Sequence, residues 1–135
     1  MDTPITGHCL CGAVKFEATA APISTVNCHC TDCRRITGSV HGTVLYFEGE
    51  NVRITGALGS FGHVSDRGTK LTKQFCPVCG SQLFALTGLY PTWIGIRAGC
   101  INETANIRPQ RNVFVDSKIE TTPLDDGLPA IGRMP

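Results

Sequence analysis

Seven of the chain's eight cysteines fall in three tight clusters: Cys9-Leu10-Cys11, Cys28-His29-Cys30-Thr31-Asp32-Cys33 and Cys76-Pro77-Val78-Cys79. Thiolates at such short spacing are soft ligands that can share one ion, and zinc is the first metal to expect. Zinc held for structure is closed by four protein ligands, whereas zinc held for chemistry keeps three and leaves a position open. Two pairs and a triplet therefore point to two zinc ions per chain with different coordination.

Neighbouring residues sort the clusters. Cys11 and Cys79 are each followed by a glycine, Gly12 and Gly80, which suits a knuckle whose backbone turns under a metal at positive φ. Cys9, Cys11, Cys76 and Cys79 then form one closed site. In the triplet, an extended Cys28–Cys30 puts both sulfurs on one face and His29 on the other. From Cys30 onward a short helical turn, capped by Thr31 or Asp32, brings Cys33 to the same face. Cys28, Cys30 and Cys33 are thus the candidate catalytic ligands. Two other readings stay open for them: a closed site completed by Cys100, His8, His41 or His63, or redox thiols without metal. Cys100 itself reads as a small buried residue.

The elements that position these clusters are mostly strands. Segments rich in β-branched and aromatic residues recur between glycines: 13–19, 23–27, 40–47, 51–55, 60–64, 71–75, 82–86, 93–98 and 112–116. The first alternates, with Val14, Phe16 and Ala18 facing a core and Lys15, Glu17 and Thr19 facing water. Segment 40–47 is apolar on both faces, as a central strand would be. Phe75 and Trp93 read as core. Helix is limited to the turn after Cys30, with Gly38 as its C-terminal cap, and the tail from Thr121 reads as irregular. The expected fold is a mostly β single domain over 1–135 with one short helical turn.

Composition narrows the classes of function. No apolar run approaches the roughly 20 residues a membrane span needs. The formal net charge is +1 and the only contiguous basic pair is Arg34-Arg35, so no nucleic-acid footprint is visible. Nothing at the start reads as a secretory leader, and the thiols are expected reduced, in the cytoplasm. Arg34 and Arg35, just past a ligand, could hold a substrate carboxylate or lie on a solvated face paired with Asp32. The oligomeric state is not legible.

Three blocks together resemble the glutathione-dependent formaldehyde-activating enzymes, the family grouped with centromere protein V. They are Gly7-His8-Cys9-Leu10-Cys11-Gly12-Ala13-Val14, then Cys28 to Arg35 with Gly38, then Phe75-Cys76-Pro77-Val78-Cys79-Gly80-Ser81. The resemblance implies a β-tent fold around a structural zinc on Cys9, Cys11, Cys76 and Cys79, and a catalytic zinc on Cys28, Cys30 and Cys33. It implies a carbon-sulfur lyase acting on a small thiol or aldehyde, joining formaldehyde and glutathione to S-hydroxymethylglutathione. The alternative it leaves is a non-catalytic, zinc-stabilised β module that binds a protein partner.

Overall fold

The computed structural model describes residues 4–133; Met1–Thr3 and Pro135, which entered the expectations for the two ends, lie outside them. The chain is mostly β, 41% strand and 15% helix, without a closed barrel. Its elements are β1 (Ile5–His8), β2 (Lys15–Ala18), β3 (Ser24–Cys28), α1 (Thr31–Thr37), β4 (Gly42–Glu48), β5 (Val52–Thr55), β6 (Gly59–Val64), β7 (Lys70–Phe75), β8 (Gln82–Thr87), β9 (Trp93–Arg97), β10 (Arg111–Val113) and β11 (Ala130–Ile131).

Among the described residues these make two sheets: a small one ordered β1-β2-β5 and a large one ordered β11-β10-β3-β4-β9-β8-β7-β6. The expected alternation in β2 holds, since Val14, Phe16 and Ala18 are buried. They join Ile5, Leu45, Phe47, Leu83, Phe84, Ile94 and Ile96 in the main core, with Phe16 meeting Phe84 edge-on at 5.6 Å. The segment expected to be central is so: β4 pairs with β3 on one side and β9 on the other. Because side chains alternate along a strand, Leu45 and Phe47 enter the main core while Tyr46 turns to the opposite face. There it meets a second cluster of Val26, Cys28, Cys33 and Val113.

Three expectations need correction. β1 was not anticipated, because Gly7 interrupts a run of only four residues that carries too little β-branched pattern to stand out. The tail is not wholly irregular, since Ala130–Ile131 pairs in parallel with β10. Phe75 and Trp93, both expected in the core, are only half-buried and outside the main core. Gly7 is tightly enclosed: a Cβ there would collide with the Cys100 carbonyl oxygen and the Phe16 ring. Gly7→Ala is therefore expected to cost about 1–3 kcal/mol by overpacking, read as a lower urea midpoint at unchanged slope.

Candidate functional site

The first cysteine group joins the two sheets. Cys9 and Cys11 lie in the connection between β1 and β2, and Cys76 and Cys79 in the turn between β7 and β8. The two turns are built alike. Cys9 N donates to Val14 O at 3.0 Å and Gly12 N to Cys9 O at 3.1 Å; Cys76 N donates to Ser81 O at 3.0 Å and Gly80 N to Cys76 O at 2.8 Å. Gly12 and Gly80 have φ of 82° and 81°, as a knuckle requires. Cys9 Sγ is 3.6 Å from Cys11 Sγ, and Cys11 Sγ is 3.8 Å from Cys76 Sγ. All four sulfurs lie within 4.8 Å of one another. A tetrahedron with zinc–sulfur bonds of about 2.3 Å has edges of about 3.8 Å, so the donor set fits that ion in type and spacing. The Val14 and Val78 amides donate to Cys9 and Cys76 at 3.2 and 3.4 Å. The Ser81 hydroxyl beside Cys79 holds that thiol down to about 5.

The second group is Cys28, Cys30 and Cys33, whose sulfurs also lie within 4.8 Å of one another, with no fourth His, Cys, Asp or Glu joining them among the described residues. Cys28 ends β3, and Cys33 lies in the first turn of α1. The helix cap is Cys30 itself rather than Thr31 or Asp32: its sulfur accepts from Cys33 N at 3.2 Å. A ligand spacing and a helix start thus coincide in one residue. Gly38 caps the other end at φ 68°. Cys28 and Cys30 direct hydrogen bonds at Cys33 and, against the effect of burial and with help from Arg97 and Lys73, hold its thiol well below the ordinary range. Cys28 is pushed up, first by its contact with Cys30 and then by that with Cys33 and by burial. The cluster can therefore carry negative charge as a unit.

Of the residues weighed as closing ligands, His8, His63 and Cys100 have other partners, and His41, whose buried Nδ1 is unpartnered, lies against His29 rather than within the sulfur group. His29 is fully buried, with Nε2 3.2 Å from Asn112 Oδ1 and its ring 4.8 Å from that of His41. His63 faces Asp32 at 3.9 Å. His8 Nδ1 lies 2.6 Å from the Cys9 carbonyl, and Cys100 Sγ donates to Gln82 O at 3.4 Å.

The triplet opens on a cavity of about 650 Å³, within the range of small-molecule sites. Its aromatic wall is Tyr46, Tyr90, Trp93 and Phe114, and its cations are Arg67, Lys73 and Arg111. Arg34 and Arg35 do not line it, and Asp32 pairs with His63 rather than with either of them. Phe114 is held at φ 58°, a conformation costly for a bulky residue and typical of functional walls, with the Arg67 guanidinium 4.6 Å over its ring. These residues come from strands and loops far apart in sequence. Only the alternation of β4, which sends Tyr46 away from Leu45 and Phe47, hinted at a second populated face.

Two sheets are joined at a four-cysteine knuckle pair, and a three-cysteine cluster faces a cavity on the far side of the larger sheet; both cysteine groups could hold a metal ion. A family model described as glutathione-dependent formaldehyde-activating enzyme matches residues 4–117. The chain belongs to that family, one of carbon-sulfur lyases. A Rhodobacter sphaeroides protein of known crystal structure is similar in fold, with a TM-score of 0.56 at 24% identity over 73% of this chain and 88% of that one. No curated protein matches. No helix among the described residues is long and apolar enough to cross a membrane.

Proposed function

We propose that this chain is a zinc-dependent carbon-sulfur lyase that joins a thiol to an aldehyde and reverses the reaction, with glutathione and formaldehyde as the first pair to test. One observation carries the reading: three cysteine sulfurs converge on a cavity wall with no fourth His, Cys, Asp or Glu beside them among the described residues. Cys9, Cys11, Cys76 and Cys79 would hold a structural zinc, and Cys28, Cys30 and Cys33 a second. When bound, that second ion supplies Lewis acidity and a stabilised thiolate environment.

The chain's own residues account for the remaining steps. The cavity gathers thiol and aldehyde from dilute solution, and well-oriented pairs reach effective molarities of about 10⁵ M or more. As the carbon-sulfur bond forms, the thiol loses its proton and the carbonyl oxygen gains one; nothing is oxidised or reduced. The proton lost by the thiol is the one the oxygen gains, passed through solvent, and Tyr46 is the candidate hydrogen-bond donor to that oxygen. Burial, reinforced by the neighbouring Cys33, pushes its phenol far above the ordinary range, so it stays protonated and can give a hydrogen bond to the developing alkoxide. Tyr46→Phe is expected to lower kcat about 100-fold with little change in KM, measured by NMR exchange between free and adduct formaldehyde. Arg34 and Arg35 would take part only with a substrate that reaches beyond the cavity.

The same exchange experiment tests the function. Metal-loaded protein should accelerate exchange between glutathione, formaldehyde and their adduct, and a rate equal to that of protein-free buffer would overturn the assignment. The paired free thiols suit a reducing compartment, which favours the cytoplasm. Nothing in the fold favours the alternative of a partner-binding module.

A further inference from the structure

The register of the large sheet places Lys73, Ala85, Gly95, Tyr46 and Ser24 in one row across β7, β8, β9, β4 and β3. Adjacent strands lie about 4.8 Å apart, so the backbones of Lys73 and Tyr46 stand about 14 Å apart. Only Ala85 and Gly95 come between them, too small to fill the space. The Tyr46 ring leans over Gly95, where a Cβ would sit 3.0 Å from its Cε1. Tyr46 meets Trp93 at 5.9 Å with the ring planes tilted by 46°, and Trp93 stacks on Tyr90 at 4.2 Å and 12°, a stepped aromatic platform. The chain has one tryptophan and two tyrosines, and all three form this platform.

Charge gives the second observation. Lys73 and Arg97 are each only 5% exposed, and neither has a carboxylate within 4.0 Å among the described residues. Arg97 belongs with the cysteines: its Nη1 lies 2.9 Å, and the Cys33 Cβ 3.6 Å, from where a Cβ on Gly42 would be. None of its three side-chain nitrogens has a hydrogen-bond partner. Three thiolates on a divalent ion would carry one net negative charge, which a single cation suffices to balance. Lys73 also acts on the Cys33 thiol and lines the cavity, so two buried cations face one net negative charge and one positive charge is left in excess, which is strongly unfavourable without a further anion. The acidic groups on the wall are engaged elsewhere, Asp66 with Arg67 at 3.1 Å and Arg133 at 3.7 Å, Asp32 with His63 at 3.9 Å.

Resting on the thiol-aldehyde reading above, we infer that the preferred thiol is an anion with a flat apolar body, its sulfur at the three cysteines, its ring on the Tyr46–Trp93–Tyr90 platform and its carboxylate on Lys73. Trp93, the only tryptophan, reports binding by its fluorescence. The probes are 2-mercaptobenzoate, the neutral 2-mercaptobenzamide of the same shape, and 3-mercaptopropionate, which keeps the charge without the ring.

Metal-loaded wild type is expected to bind 2-mercaptobenzoate at least about tenfold more tightly than either of the others. Lys73→Gln should bring benzoate and benzamide to equal affinity without changing metal content, and Lys73→Arg should restore most of the preference. Equal binding of benzoate and benzamide by wild type, or a preference that survives Lys73→Gln, overturns the anchor. Equal binding of benzoate and mercaptopropionate overturns the platform. The wild-type comparisons decide even if the variant fails to fold. In cobalt-substituted protein, a sulfur charge-transfer band that responds to the benzamide as strongly as to the benzoate removes the anchor and leaves the lyase reading standing; a band unmoved by every thiol removes both.

Discussion

Cys76→Ser is expected to unfold the chain at room temperature. Cys76 is fully buried in the main core, with its sulfur 3.8 Å from that of Cys11, so it belongs both to the apolar interior and to the proposed four-thiolate zinc site. Apparent binding free energies at structural zinc sites are about 10–16 kcal/mol, against a total stability of about 5–15 kcal/mol for an ordinary domain. The main core spans the two sheets, but the knuckles fix how one sits on the other. Loss of a ligand therefore removes a term as large as the net stability. The far-ultraviolet circular dichroism of the variant should lack a cooperative melt, and wild type with excess chelator should behave alike. A Cys76→Ser chain that melts within a few degrees of wild type would show that the knuckles hold no metal of structural weight.

Cys30→Ser is expected to have the opposite profile: a retained fold with catalysis reduced to the rate of protein-free buffer. Cys30 is the N-cap of α1, accepting from Cys33 N at 3.2 Å, and serine is among the better capping residues. The substitution therefore preserves the helix start while replacing a soft sulfur ligand by a hydroxyl that zinc holds poorly. Metal content should fall from two ions to one, matching the two cysteine groups, with the melting temperature nearly unchanged. Loss of the whole fold would make the triplet structural and weaken the lyase assignment. Full activity in the one-ion variant would move the chemistry elsewhere.

The contrast between these variants follows from what was legible in the residues. The cysteine groups could be read because ligand spacing is local: Cys9 with Cys11, Cys76 with Cys79, and each of Gly12 and Gly80 behind its knuckle. The β2 pattern and the central place of β4 were legible for the same reason, since strand alternation repeats every two residues. The cavity was not legible. Lys73, Tyr46 and Trp93 meet only through the register of β7, β8, β9 and β4, and a one-residue slip in any pairing would send them to the other face. Arg34-Arg35 drew notice as the sole contiguous basic pair, yet sequence proximity to a ligand does not set direction, and the cations on the cavity wall come from elsewhere. The helix cap was misplaced because cysteine is not ranked among capping residues, although its sulfur fills that role here.

β4 separates the two sulfur groups. Leu45 and Phe47 pack on the side that holds Cys9 and Cys76, and Tyr46 on the side that holds Cys28 and Cys33. A change of ion or ligand at the cavity is thus insulated by a layer of sheet from the fastening that maintains the architecture. If the proposed second ion is the working one, then under metal scarcity the protein would give it up and persist as an intact, dormant shell, resuming turnover on resupply without passing through refolding.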